Sequence, residues 1–155
     1  MTYRIEGLDP AAFAFLTSLT DAELGKHEAV RMTVDAAPGF PCRVTLDDAQ
    51  VGETVLLVNH CSHEADNPYR ATHAIFVGEG ASVAAVYEDE LPPALDRRIL
   101  SLRAFDRFGM MRDAALAEPG GADLAIRRLL SHSVVDHIDA HNAAPGCFAA
   151  RIERA

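Results

Sequence analysis

The alternation of apolar and polar residues along the chain predicts a protein built mostly from β-strands. Residues 30–34 and 100–105 place apolar side chains at every second position, which is typical of a strand with one buried face. Residues 53–60 and 71–77 are apolar on both faces, and strands of that kind normally lie in the middle of a sheet. A short strand is also predicted over residues 2–6.

The end of the chain is predicted to form a β-hairpin with two chemically different faces. Its strands are residues 134–141 and 147–153, joined by the loop 142–146. This loop pairs His141 with Cys147, Asp139 with Ala149 and His137 with Arg151. Because side chains alternate across a strand, one face is polar and the other belongs to the core. The polar face carries His137, Asp139, His141, Cys147 and Arg151, and the core face carries Ile138, Ala140, Phe148, Ala150 and Ile152.

Capping signals predict about four short helices between the strands. Asp9-Pro10 gives an N-cap followed by proline at the first helical position, which begins a helix ending near residue 19. Residues 20–23 have capping-box spacing, and residues 92–98 and 122–132 form two further helices. The chain is therefore predicted to be a single α+β domain over residues 1–155, with a mainly antiparallel sheet of six or seven strands.

The composition and charge of the chain argue against some classes of binding partner and indicate the compartment of the protein. A chain of 155 residues is long enough for one domain with its own core. The formal net charge of −9 argues against general affinity for nucleic acid or an anionic membrane surface. No apolar run approaches the roughly 18 residues of a membrane span, and the first ten residues do not resemble a secretory signal. Three cysteines without CxxC spacing indicate reduced thiols and a cytoplasmic location.

The polar face of the hairpin is either solvated surface or a site, and a metal site is the first possibility. Histidine nitrogen and aspartate oxygen are ligands that suit a transition metal. The ligands would be His137, Asp139 and His141, with His60 and His63 as additional donors. Alternate residues of a strand lie about 7 Å apart, so three successive residues on one face reach one ion only with difficulty.

The second possibility is a nucleophilic cysteine, and the third is an anion-binding pocket. In the predicted register Cys147 lies opposite His141, which gives a thiol and an imidazole in contact. For the pocket, His141 and Arg151 would converge with Arg103 and with Arg70 or His73. The arginine side chain offers a planar, permanently charged fork that suits carboxylate or phosphate.

Two further features favour the anion pocket. His73 interrupts an otherwise apolar strand, where it is either a hydrogen-bonded core histidine or a residue facing a ligand. The loop over residues 38–43 contains two prolines and delivers Cys42 and Arg43 at a fixed place. An arginine at the end of a rigid loop is suited to the wall of a pocket, although a plain structural turn is an alternative.

Several segments of the chain form a set of motifs in consistent order. They are Pro38-Gly39-Phe40-Pro41-Cys42-Arg43, Gly52-Glu53-Thr54-Val55-Leu56-Leu57, residues 68–77, residues 102–106, Gly109-Met110, and residues 141–152 through Asn142 and Cys147. Together they resemble a bacterial family known as domain of unknown function 1203. His137 and Asp139 are not among the matching motif residues, which weakens the metal hypothesis. The family has no assigned activity, so the resemblance implies a class and no mechanism.

The leading hypothesis is an Arg/His-lined pocket that binds an anionic small molecule bearing phosphate or carboxylate. The proposed ligand-binding residues are Arg43, Arg70, Arg103, Asn142, Tyr69 and Cys42. The candidates for acid–base or nucleophilic catalysis are His141, His73 and Cys147. Whether the protein is an enzyme, and with which cofactor, stays open at this stage. The alternative is a non-catalytic interaction protein that uses the polar face or the loop 61–70 to contact a protein partner.

Overall fold

The computed structural model describes residues 1–155 and contains nine β-strands and three short α-helices. The strands are β1 (Tyr3–Glu6), β2 (Val30–Thr33), β3 (Thr54–His63), β4 (Ala71–Gly78), β5 (Val86–Glu88), β6 (Leu100–Phe105), β7 (Met111–Ala117), β8 (His137–Asn142) and β9 (Phe148–Arg154). The helices are α1 (Asp21–Gly25), α2 (Pro93–Asp96) and α3 (Ala122–Leu130).

The strands form two antiparallel sheets, which confirms the predicted α+β class. The larger sheet has the order β5-β1-β9-β8-β6-β7, and the smaller has the order β2-β3-β4. Every paired strand within these sheets is antiparallel to its neighbour. The sequence did not predict β5 and β7, which are the two edge strands of the larger sheet.

Strand β4 lies at an edge of the smaller sheet, so its predicted place in the middle of a sheet is wrong. Its two faces are covered only toward its C-terminal end, since Thr72 and Ala74 are exposed. Ile75 and Val77 point into a buried cluster on one side, while the ring of Phe76 packs 4.9 Å from that of Phe40 on the other. Cys42 makes an isolated parallel bridge to Phe76 at the open edge of β4. The loop that contains Cys42 therefore occupies part of the edge at which a further strand would pair.

The helices are shorter than predicted. Asp9 caps a 3-10 turn, Pro10–Ala12, which a second 3-10 turn follows, so the predicted helix to residue 19 is wrong. Thr20 and Glu23 form the predicted capping box at the start of α1. Helix α3 has the predicted inner stripe of Ile126, Leu129 and Leu130, all fully buried. No helix here has the length and apolar character that crossing a bilayer requires.

Two main hydrophobic clusters lie on opposite sides of the larger sheet. The first fills the space between that sheet and α3, and contains Leu100, Leu102, Ile138 and Ile152. The second lies against the smaller sheet and contains Leu56, Ile75 and Val77 together with Phe148. Phe148 was predicted to share a face with Ile138, and its place in the second cluster corrects that prediction.

A β-bulge in the hairpin explains the position of Phe148. Asp139 pairs with Arg151 and His137 with Glu153, a register two residues away from the predicted one. The register then shifts between Ala140 and His141, so that His141 pairs with Phe148 and not with Cys147. The extra residue of the bulge turns Phe148 to the face of the sheet that carries His141.

Candidate functional site

The polar face of β8 is buried between the two sheets. His137, Asp139 and His141 are all buried, so the solvated-surface interpretation of this face is wrong. They lie in an inter-sheet layer that is composed of His63 and His73 from the smaller sheet and His137, Asp139, His141 and Arg151 from the larger one. Buried polar groups need hydrogen-bond or ionic partners. One end of this layer has an ion pair, and the other has two histidine rings in contact.

At one end of the inter-sheet layer, the buried carboxylate of Asp139 forms an ion pair with the partly exposed guanidinium of Arg151. The Arg151 Nε atom donates to Oδ1 of Asp139 at 2.8 Å, and a second guanidinium nitrogen donates to Oδ2 at 3.1 Å. The same guanidinium donates to the Ser62 carbonyl at 3.0 Å and so ties the two sheets together. His63 lies beside this pair, with its Nδ1 atom 3.5 Å from Oδ2 of Asp139.

At the other end of the layer, two imidazoles meet. The rings of His73 and His141 contact edge to face, with centroids 4.8 Å apart. Burial lowers the pKa of His141 to about 4, and the nearby Arg103 and His73 act in the same direction. His141 is therefore neutral near pH 7, and its Nδ1–H donates to the Gly146 carbonyl at 3.1 Å. Burial also lowers the pKa of His73.

A separate cavity opens beside the hairpin turn, and we name it the Cys147 pocket. Its volume is about 640 Å³. Its polar lining residues are Arg43, Arg98, Asn142 and Cys147. Its apolar walls include Phe76, Ile99, Ala143, Ala144 and Pro145. This mixture of apolar walls and a few converging polar groups is typical of small-molecule sites.

Arg43 is the most unusual residue of the Cys147 pocket, because it is a buried cation without a carboxylate partner. It is 3% exposed. Its guanidinium donates to the Phe148 carbonyl at 2.8 Å, to the Pro41 carbonyl at 2.5 Å and to the Cys147 Sγ atom at 3.1 Å. Burial lowers the pKa of Arg43, while the Cys147 sulfur opposes that change. Arginine keeps its charge in proteins, so the site holds a positive charge.

Asn142 and Cys147 complete the polar side of the pocket. The Asn142 side-chain amide lies 3.5 Å from the Cys147 sulfur, which thereby accepts from two donors. The Asn142 Oδ1 atom is buried and has no hydrogen-bond partner. Cys147 itself is half-buried. Gly146, with a φ of +78°, provides the left-handed turn residue that brings the cysteine back toward Asn142.

The structure brings only three of the predicted site residues into the Cys147 pocket, namely Arg43, Asn142 and Cys147. Arg70 is exposed and donates to the Glu64 carbonyl. Tyr69 is exposed and contacts Phe105. The Arg103 Nε atom lies 3.4 Å from the Ser101 hydroxyl, and the buried Cys42 sulfur accepts from the Gly78 amide. His73 and His141 belong to the inter-sheet layer.

Arg98 lines the pocket and was not predicted as a site residue. Its guanidinium forms a two-point ion pair with the carboxylate of Asp48, which occupies its charge. The sequence contains the Arg97-Arg98 doublet but no indication of which surface it faces. Ile99 and Phe76 were also missed, because an apolar pocket wall has the same sequence pattern as a core strand.

The comparisons with known proteins leave one positive finding. No curated protein and no solved structure matches this chain. The sequence profile of one family, described as Protein of unknown function (DUF1203), matches residues 39–154. The matched range contains every lining residue of the Cys147 pocket and every residue of the inter-sheet layer. The chain therefore belongs to the DUF1203 family.

Proposed function

We propose that this protein binds an anionic small molecule in the Cys147 pocket. The phosphate or carboxylate of the ligand would lie against the guanidinium of Arg43, and its apolar part would contact Phe76, Ile99 and Pro145. The observation that carries the proposal is the buried charge of Arg43, which no carboxylate of the protein neutralises.

The buried charge of Arg43 is costly for the folded protein because it is unpaired. A buried ion is expensive unless a partner of opposite charge compensates it. Arg151, Arg98 and Arg31 each have a carboxylate partner in this protein, whereas Arg43 has two carbonyls and a sulfur. A ligand anion beside Arg43 would provide the missing charge, and of the five N–H donors of the guanidinium two remain to bond it after the three that the protein uses.

The charge of its lining favours this cavity over two others of comparable size. About 640 Å³ lies within the range of small-molecule sites. A cavity of about 720 Å³ elsewhere is lined by Asp47, Glu53 and Glu79, which would repel an anion. A third cavity of about 470 Å³ is lined by Phe13, Leu56 and Val77, beside the carboxylates of Asp9 and Glu79.

Within this proposal, Cys147 is the candidate reactive group. Reactive cysteines lie in electropositive, partly exposed surroundings, and the Cys147 sulfur accepts from Arg43 and Asn142 in a half-buried position. His73 and His141 do not line the pocket, so the arrangement supports Cys147 more than either histidine as the group that meets a ligand.

Thermal unfolding with a panel of anions tests the proposal. The panel contains acetate, dicarboxylates, inorganic phosphate, sugar phosphates and nucleotides, so that carboxylate and phosphate ligands are distinguished. A ligand present at 100 times its Kd stabilises the folded state by about 2.7 kcal/mol, which for a domain of this size raises Tm by about 5–10 °C. Arg43→Gln should lose this stabilisation, whereas Arg70→Gln, outside the pocket, should keep it.

Alkylation of cysteine by iodoacetamide provides a readout on the wild type alone. Bound ligand should slow modification of Cys147 and leave Cys61, which is also half-buried but lies on β3, unaffected. This measurement tests anion binding in the Cys147 pocket even if Arg43→Gln fails to fold. A panel in which no anion raises Tm and none protects Cys147 would refute the proposal.

A further inference from the structure

Three buried side chains from both sheets meet at one end of the inter-sheet layer, away from the Cys147 pocket. His63 comes from β3, and His137 and Asp139 come from β8. One nitrogen or oxygen atom of each lies within 4.8 Å of the corresponding atoms of the other two. His137 and Asn142 lie at opposite ends of β8, about 16 Å apart along the strand.

Each of the two histidines has one ring nitrogen near an outer hydrogen-bond partner, which leaves the other nitrogen for the cluster of three side chains. The Nε2 atom of His63 lies 2.9 Å from the Gly109 carbonyl and therefore donates a proton to it, which leaves Nδ1 facing Asp139. The Nδ1 atom of His137 lies 3.1 Å from a carboxylate oxygen of Asp136. Its Nε2 atom is buried and has no hydrogen-bond partner. In their neutral forms the two rings thus leave two lone pairs beside a carboxylate.

We propose that His63, His137 and Asp139 bind one divalent transition-metal ion between the two sheets. A cation supplies what the unpartnered Nε2 atom of His137 lacks, since His137 is 8% exposed and water does not reach that atom. Two imidazole nitrogens and one carboxylate oxygen suit zinc, iron or cobalt, whereas calcium and magnesium prefer oxygen ligands alone. Three protein ligands leave at least one coordination position open.

The surroundings of the three ligands resemble the outer sphere of a metal site. Metal-binding histidines usually donate their second ring N–H to a carboxylate or a backbone carbonyl. Asp136 and the Gly109 carbonyl take these two roles here. Asp139 is held by Arg151 through one hydrogen bond on each oxygen, and a carboxylate with about four acceptor positions retains room for an ion.

The spacing of the ligands is compatible with one ion. Three atoms bonded to one tetrahedral zinc at about 2.1 Å lie about 3.4 Å from one another, so atoms within 4.8 Å of one another reach the ion by side-chain movements of up to about 0.8 Å each. His63 contributes from the facing sheet. This arrangement avoids the difficulty of three successive ligands on one strand, because His141 lies at the other end of the layer beside His73.

Equilibrium dialysis of the full chain against Co²⁺ or Zn²⁺ tests the proposal. We expect one bound ion per chain, with the visible absorption of Co²⁺ that nitrogen ligands intensify. His137→Ala should weaken Co²⁺ binding by at least about 100-fold. His73→Ala removes a histidine of the same layer that is not a ligand, and it should leave the stoichiometry unchanged.

A second variant keeps the test decisive if His137→Ala does not fold. The side chain of Asp136 is 57% exposed, so Asp136→Asn should fold normally while weakening Co²⁺ binding by about 10–100-fold. Asp66→Asn, another exposed acid, is the matched control. A wild type that retains no Co²⁺ or Zn²⁺, or equal Co²⁺ affinity in Asp136→Asn and Asp66→Asn, would overturn the proposal. Neither result bears on the Cys147 pocket, which is measured by anions and alkylation.

Discussion

At the scale of single residues, the buried polar groups of this protein differ in whether a partner matches their charge or hydrogen-bonding atoms. Asp139 has Arg151 as a two-point partner. Arg43, Asn142 and His137 each keep a charge or an acceptor atom that the protein leaves unmatched. Both proposals rest on these uncompensated groups, because an unpaired buried group in a native protein needs an explanation and a bound ligand or ion provides one.

Burial of His141 predicts a loss of stability in mild acid. The folded protein holds the pKa of His141 at about 4, whereas the unfolded chain titrates near 6.5. As the pH falls below about 6.5, the unfolded chain binds a proton that the folded chain does not, so the free energy of unfolding decreases. The lowered pKa values of His60 and His73 act in the same direction.

From pH 7 to pH 5 His141 alone should cost about 2 kcal/mol of the free energy of unfolding. Urea unfolding at the two pH values measures it. His141→Gln should show a smaller loss than the wild type, and His132→Gln, which changes an exposed histidine, should show the same loss as the wild type. Equal losses in all three proteins would contradict the assignment to His141.

At the scale of elements, the turn between β6 and β7 sets the position of His63. Asp106 accepts from the Phe108 and Met110 amides, and the Gly109 carbonyl within that turn receives the His63 imidazole. Gly109 has a φ of +75°, and a Cβ atom there would lie 2.5 Å from that of Ala65. Only glycine therefore fits this turn.

Gly109→Ala should destabilise the protein by about 1–3 kcal/mol and weaken Co²⁺ binding, because the clash displaces the carbonyl that orients His63. Gly52→Ala is the control, since Gly52 also has a positive φ but open space around it. It should cost about 1 kcal/mol from backbone strain and leave Co²⁺ binding intact. Urea unfolding and dialysis measure both effects, and unchanged Co²⁺ affinity in Gly109→Ala would contradict this role of the turn.

The elements also show what the sequence could predict. Alternation, caps and turn signals found every strand except β5 and β7, and all three helices, because their signals are local. Strand β5 has three residues and β7 is rich in alanine, so neither produces a clear alternation. The bulge beside His141 is a further example, because a single extra residue changes the register without leaving a sequence signal.

The candidate site was predicted only in part for the same reason. Arg43, Asn142 and Cys147 were named from the sequence, and their meeting in one pocket depends on how the loop before Arg43 docks on β4. The grouping of His63 with His137 depends on how the two sheets face each other, and no spacing along the chain encodes that.

At the scale of the whole molecule, the first 38 residues belong to the fold although the family profile begins at residue 39. Strand β1 lies between β5 and β9 in the larger sheet. Its Tyr3 and Ile5 side chains are fully buried in the main core. The matched range is therefore missing a strand that holds one edge strand to the rest of the sheet.

Removal of residues 1–7 should abolish cooperative unfolding of the remaining chain. The deletion takes two fully buried side chains from the core and exposes the edge of β9, and loss of buried groups of this size costs about 2–5 kcal/mol each. Circular dichroism during thermal unfolding measures it. Deletion of Ala155 alone, an exposed residue that hydrogen-bonds to Thr2 but contributes nothing to the core, is the control and should unfold nearly as the full chain does. Cooperative unfolding of the shortened chain at the normal Tm would contradict the prediction.

The alternation of side chains along β8 limits where residues can be inserted or deleted during evolution. Its odd-numbered side chains face the inter-sheet layer, and Ile138 and Ala140 face the main core. Insertion or deletion of one residue inside His137–Asn142 would exchange the two sets and send histidines into the apolar core. We therefore expect gains and losses of residues to fall in loops outside β8, and β8 itself to vary by substitution.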